Sequence, residues 1–311
     1  MNQSEKYENS SKIFQPELPH EVLFAMLSVY SLIFSAGVLS NGLLITAITM
    51  RKKLHKPTNM LIGNLALSDL FTSLLLVPIR ANNLLGGQLF GEWLSMSWSE
   101  MVFPCSLHCL TLMSLEKLVI IFLPLRTNTF LCKSNVGGTI VMMWTYTLIS
   151  TLLLNSLNLP HAHCVHLTLN VVVPLVFVVG VDVNLFVASY QQVNRTVSTI
   201  GTLGSKSTQP THTMEPSVRF STGKVACNQL VVLTNKLRRA SKAGRRIGTM
   251  TSVVVVCWTP YVVVAGSQLL CRCYSNDGVS TLVDLINCAA AVFNPFLYGW
   301  CSKNIRRKLL K

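Results

Sequence analysis

Acidic residues stand where an apolar chain has least use for them. Asp69, Glu116, Asp182 and Asp284 each interrupt long uncharged stretches, and Glu100 sits near the start of another. The densest cluster is Ser114-Leu115-Glu116-Lys117-Leu118, an acid beside a base near the end of a run that begins around Trp93; Pro124-Leu125 follows. Such groups supply ion pairing, charge-assisted hydrogen bonds and cation binding. Glu116 and Lys117 read structurally as interfacial charges reaching water or headgroups, and functionally as a latch at a membrane face. Covalent catalysis has little to work with. Cys271-Arg272-Cys273 has the wrong spacing for a zinc knuckle, and His161 with His163 lacks further ligands nearby. No phosphate loop or nucleophile elbow occurs, so no catalytic residue is assigned and an enzyme is not expected.

The elements that position these charges follow from composition. Half of the 311 residues are hydrophobic and 12% are charged, with mean hydropathy +0.47. Average soluble proteins carry about a quarter charged residues, so this outer surface belongs to lipid. Apolar segments lie near 22–50, 58–83, 93–123, 136–160, 167–192, 243–270 and 278–301. Each suffices for the ~20 residues that span a bilayer. The expectation is an all-α membrane protein, a seven-transmembrane helix bundle with a short amphipathic eighth helix. Its parts are an extracellular tail 1–21, a seven-helix domain 22–301 with a long cytoplasmic loop 193–242, and a cytoplasmic tail 302–311.

Charge placement orients the bundle. Of the 26 Lys and Arg, only Lys6, Lys12, Arg80 and Arg272 fall on one side of the alternating loops. The positive-inside rule puts the amino terminus outside and the carboxyl terminus in the cytoplasm of a plasma-membrane protein. The net charge of +14 therefore reads as topology and contact with anionic lipids, not nucleic-acid binding. Asn2 and Asn9 head glycosylation acceptor triplets in the outer tail. No cleavable leader pattern opens the chain, so the first span is expected to serve as the insertion signal. No internal repeat is visible, so an inverted-repeat transporter lacks its usual pointer.

Polar residues inside spans turn toward the bundle interior. Asn41 stands in Ser40-Asn41-Gly42, Asp69 in Asn64-Leu65-Ala66-Leu67-Ser68-Asp69, Ser106 in segment three, and Asn294 in Asn294-Pro295-Phe296-Leu297-Tyr298. Pro174, Pro260 and Pro295 interrupt segments five, six and seven, and each frees a carbonyl and offers a hinge. Together with Pro-Leu after the charge pair, Trp144 in segment four and Cys257-Trp258-Thr259-Pro260, this ordered set resembles the rhodopsin-like (class A) G-protein-coupled receptors over nearly the whole chain; no subfamily is assigned. Ser302 to Arg307 resembles the family's eighth helix, with Ile305 where Phe is usual.

That resemblance implies roles. Asn41, Asp69, Ser106 and Asn294 match a midplane polar cluster that can hold a sodium ion with water, Asp69 being the charged ligand. The same residues equally suit a hydrogen-bond network without an ion, and Ala290 stands where many relatives supply an Asn. Trp258 matches the aromatic that moves beneath the ligand, and Tyr298 the tyrosine that turns inward on activation. Glu116-Lys117-Leu118 resembles the family's Asp-Arg-Tyr, but lysine lacks arginine's planar fork. Asp182 stands where a tyrosine is common, so Lys117 is expected to pair with Asp182 or Glu116. Lys236 to Lys242, with Arg238 and Arg239, reads as a cytoplasmic helix extension that contacts a G protein, the anionic leaflet, or both.

Departures sharpen the outer side. Glu92 occupies the place of the family's bridging cysteine, and Cys105 and Cys109 lie about 20 Å deeper, beyond the ~7 Å reach of a disulfide. The second outer loop, near His161–His166, holds Cys164, and the third holds Cys271 and Cys273; one bridge between these loops is the expected use. Melanocortin receptors share these omissions. The ligand-facing set is Ser99, Glu100, Phe103, His166, Asn170, Trp258, Tyr261 and Asp284, with Gln268 nearby. Amine receptors place an aspartate at Ser99. Glu100 and Asp284 are open to a cationic ligand, or to vestibule water and Arg80; His166 reads mainly as a solvated imidazole at a loop end. Cys288 takes the place of the opsin lysine. The expected function is binding of an extracellular ligand and activation of a heterotrimeric G protein. The alternatives are a non-signalling seven-helix partner of another receptor, or a small transporter or channel.

Overall fold

The computed structural model describes residues 19–87, 91–156, 162–207, 249, 251–268 and 277–297. Seven long helices cross the structure: α1 His20–Met50, α2 Pro57–Leu84, α3 Gly91–Phe122, α4 Lys133–Ser156, α5 from Ala162 to Ser207, α6 Thr251–Gln268 and α7 Asp277–Pro295. The first six contain stretches long and apolar enough to cross a membrane. Within its described part α7 does not, because Asp277, Asp284 and Asn287 dilute it; it packs against α1 and α2 instead. The calls on Asn2, Asn9, Arg238, Arg239, Cys271, Cys273, Tyr298 and the eighth helix lie outside the described residues.

Burial is inverted relative to a water-soluble protein. Leu32, Leu39, Val176 and Val263 are exposed, whereas Asn41, Ser68, Asp69, Ser73, Thr147 and Asn170 are 0% exposed. Hydrocarbon offers polar atoms no partner, so helices turn them toward one another. Hydroxyls left outside close back on their own helix, as Ser28, Ser31 and Ser35 do by donating to the carbonyls of Phe24, Leu27 and Ser31. The apolar core runs through Tyr30, Leu65, Leu76, Leu107 and Trp258.

Two π-helical turns break the regular winding, at Thr72–Leu76 in α2 and Thr168–Val172 in α5. Each precedes a proline, Pro78 and Pro174, whose missing N–H disturbs the hydrogen-bond ladder one turn back. In α2 the hydroxyls of Thr72 and Ser73 bond the carbonyls of Ser68 and Asp69, which steadies the turn. Pro104 sits inside α3 as a further interruption.

Helix α5 continues to Ser207, past residue 193 where a loop was expected. Polar residues there do not end the helix, since no proline follows before Pro210.

At the α1–α2 crossing, a Cβ added to Gly37 would lie 2.1 Å from Ser73 Oγ and 3.0 Å from Ser73 Cβ. Gly37→Val should therefore force the helices apart and lower stability by about 1–3 kcal/mol. Thermal melting of the solubilised protein measures this; an unchanged midpoint would disprove the tight crossing.

Candidate functional site

One face of α3 threads the site from the end near Arg80 to the end near Lys117, called outer and inner after the orientation expected from the basic loops. Phe103, Ser106, Leu110, Ser114 and Lys117 recur at steps of three and four, the helical period. The site has three levels along this face.

At the outer level, Arg80 of α2 meets Asp284 of α7 at 3.3 Å. The Arg80 guanidinium also stands 6.0 Å from the Phe103 ring centre. Phe103 contacts Tyr261 at 5.9 Å and Trp258 at 6.5 Å, and those two rings meet at 6.2 Å. Tilted and edge-on rings at such separations attract through their quadrupoles. Glu100 pairs with His163 Nδ1 at 2.9 Å. Both acids considered for a cationic ligand thus already have basic partners. His166 is buried, not solvated, and its Nε2 has no hydrogen-bond partner. The reason is that α5 already begins at Ala162, so His166 lies inside a helix. Asn170, in the π-helical turn, has both amide atoms buried without a partner. Gln268 is exposed and donates to Ser280 Oγ at 3.4 Å. The Ser99 side chain lies outside the described residues. Cys164 is a half-buried free thiol, and Cys105 and Cys109 are free and buried.

At the midplane, Asp69 accepts hydrogen bonds from Ser106 Oγ at 2.9 Å and Asn294 Nδ2 at 3.0 Å. A cavity of about 20 Å³ adjoins them, lined also by Thr72, Asn287 and Trp258. That is room for one water-sized body. Asn287, on α7, is 3% exposed and neither of its amide atoms has a partner. Asn41 does not join this cluster: its Nδ2 donates to the carbonyls of Gly37 and Ala291, tying α1 to α7. Farther inward, Asn64 accepts from Trp144 Nε1 at 2.9 Å and donates to Cys109 Sγ, joining α2, α3 and α4.

At the inner level, Lys117 Nζ reaches Asp182 Oδ1 at 3.0 Å. Ser114 Oγ donates to the same oxygen at 3.4 Å, and Thr251 Oγ1 to Asp182 Oδ2 at 3.1 Å. Asp182 is 3% exposed. It gathers α3, α5 and α6 in one clasp. Of the two partners considered for Lys117, Asp182 is the one engaged; Glu116 instead accepts from Thr58 Oγ1 of α2.

Arg80 over Phe103, His163, Asn287, Thr58 and Thr251 were not among the expected site residues. Asn287 carried a usable signal, an amide in the middle of an apolar span. The threonines carried none, because hydroxyls are common in such helices.

Long apolar helices that turn their charges and amides inward, at three levels of one bundle, are the build of a membrane-spanning helical protein. The chain belongs to the 7 transmembrane receptor (rhodopsin family), whose model matches residues 40–298. It is a G-protein-coupled receptor that binds an extracellular ligand, and the family is not enzymatic. The 5-hydroxytryptamine receptor 1D of Rattus norvegicus is 22% identical over 344 aligned positions, covering 96% of this chain and 91% of that protein. The Homo sapiens receptor of the same name is 21% identical, covering 100% and 94%. Neuromedin-U receptor 1 of Rattus norvegicus is 29% identical over a shorter stretch, 42% of this chain and 32% of that receptor.

Proposed function

We propose that the ligand enters the outer half of the bundle and favours one of two arrangements of α6 by its differential affinity. The inner face then drives nucleotide exchange on a heterotrimeric G protein. The observation that carries this reading is the Lys117–Asp182–Thr251 clasp, which binds α6 to α3 and α5 at the end where a partner docks. The ring contacts from Phe103 to Trp258 and Tyr261 couple α3 to the same helix from above. The amino terminus faces outward at the plasma membrane, as the basic inner loops favour. The likeness to 5-hydroxytryptamine receptors suggests a monoamine. The internal pairing of Asp284 and Glu100, and serine at position 99, argue against one.

For the midplane cavity we propose a sodium ion held by Asp69, Ser106, Thr72, Asn287 and Asn294. The fit rests on their oxygens, the cavity volume and the unpartnered Asn287 amide. Bound there, the ion supplies the positive charge that a buried carboxylate otherwise lacks.

The receptor expressed with each G-protein family in turn should support guanine-nucleotide exchange with at least one. Neither basal nor ligand-driven exchange in any of them would overturn the signalling reading.

A further inference from the structure

We propose that the outer half of the bundle seats the carboxylate of a small organic acid on Arg80. This rests on the receptor reading and adds the charge of its ligand. Asp284 is engaged by Arg80 at 3.3 Å and Glu100 by His163 at 2.9 Å, so each of these outer acids already faces a base. A cation arriving at Asp284 would have to share a carboxylate whose charge Arg80 already offsets, which leaves it little net attraction.

A carboxylate meets the opposite situation. A guanidinium presents five N–H donors in a planar fork that matches a carboxylate two bonds at a time. The ion pair with Asp284 runs through Nη1, while the buried Nε has no acceptor. Its side chain is still 26% exposed, and that of Asp284 19%, so the pair is not sealed in the core. Beneath the guanidinium lies Phe103, which touches Tyr261 and Trp258. Phe103 and Trp258 are buried and Tyr261 is half-buried, so an acid with an apolar or aromatic body would seat that body against Tyr261 while its carboxylate took the free edge of Arg80. The same contact places the ligand one ring away from Trp258 on α6. Arg80 is thus the specificity-determining residue, and Asp284 orients it and competes for it.

The test uses the full-length receptor in lipid nanodiscs and three probes of one skeleton: phenylpropionate, phenylpropylamine and phenylpropanol. Phenylpropionate alone should raise the melting midpoint at millimolar concentration. Asp284→Asn, which releases the guanidinium, should tighten phenylpropionate about tenfold or more, and Arg80→Gln should abolish its effect. Should Arg80→Gln fail to fold, Arg80→Lys keeps the charge without the fork and should weaken the acid by about tenfold or more. Stabilisation by the amine and not the acid would overturn the proposal. So would an acid effect that survives Arg80→Gln, or no effect of any probe on wild type and Asp284→Asn. Nucleotide exchange, measured separately, distinguishes these failures from failure of the receptor reading.

Discussion

Asp182→Asn should raise basal nucleotide exchange several-fold. The carboxylate accepts from Lys117, Ser114 and Thr251, and the amide keeps its shape while losing its charge. One oxygen becomes an NH2 group that can donate to Thr251 Oγ1, while the remaining oxygen still accepts from Lys117 and Ser114 but no longer carries a charge. A hydrogen bond to a charged group is worth about 1.5–3 kcal/mol net. About 1.4 kcal/mol changes a two-state ratio tenfold. Losing the charge opposite Lys117 therefore loosens α3 from α5, and with it the clasp that holds α6, in a sizeable fraction of molecules and releases Lys117 toward the inner partner. Lys117→Gln removes the other end but leaves Asp182 buried without its counter-charge, so it should lower the melting midpoint more than Asp182→Asn does. The double variant should lose less than the sum of the two, since both changes remove one interaction. If Asp182→Asn leaves both basal exchange and melting at wild-type values, the clasp does not hold the resting state.

Sodium should raise the melting midpoint of the wild-type receptor, and Asp69→Asn should erase that response. The comparison is sodium chloride against an organic-cation chloride of equal ionic strength, so that general screening cancels. A ligand present at about 100 times its dissociation constant stabilises the state that binds it by about 2.7 kcal/mol. Asp69 is 0% exposed and holds only neutral donors, Ser106 and Asn294. A cation beside it would thus have an unusually large effect. Asn287→Ala should weaken the sodium response without abolishing it, because Asn287 offers an unpaired oxygen at the cavity wall. Equal midpoints in the two salts would mean a hydrogen-bond network with no ion. Melting, rather than signalling, is the readout because the same substitution also changes the packing around α7.

Much of the architecture was legible before any coordinates. Six of the apolar runs, and the polar and proline motifs as far as Pro295, survive in the described helices. The grouping of Asp69 with Ser106 and Asn294, and a pairing of Lys117 with Asp182 or Glu116, followed from the resemblance to the rhodopsin-like receptors; the structure engages Asp182. Other expectations were revised where winding or helix extent mattered. Asn41 had the right depth but bonds the carbonyls of Gly37 and Ala291. His166 stood at an expected loop end but lies in α5. Glu116, adjacent to Lys117, is turned toward Thr58, since neighbouring residues on a helix point about 100° apart.

The sequence by itself determined the solvent and the family, because each depends on composition and order along the chain. Only the tertiary structure decided which charge meets which. A π-helical turn winds its strand of backbone by roughly an extra residue, so every side chain beyond it faces about 100° away from where a regular helix would aim it. Arg80 lies just beyond such a turn in α2, and Asn170 within another in α5. That winding is written in no single residue. It brings Arg80 over Phe103 and onto Asp284, and so sets the charge that the outer mouth presents.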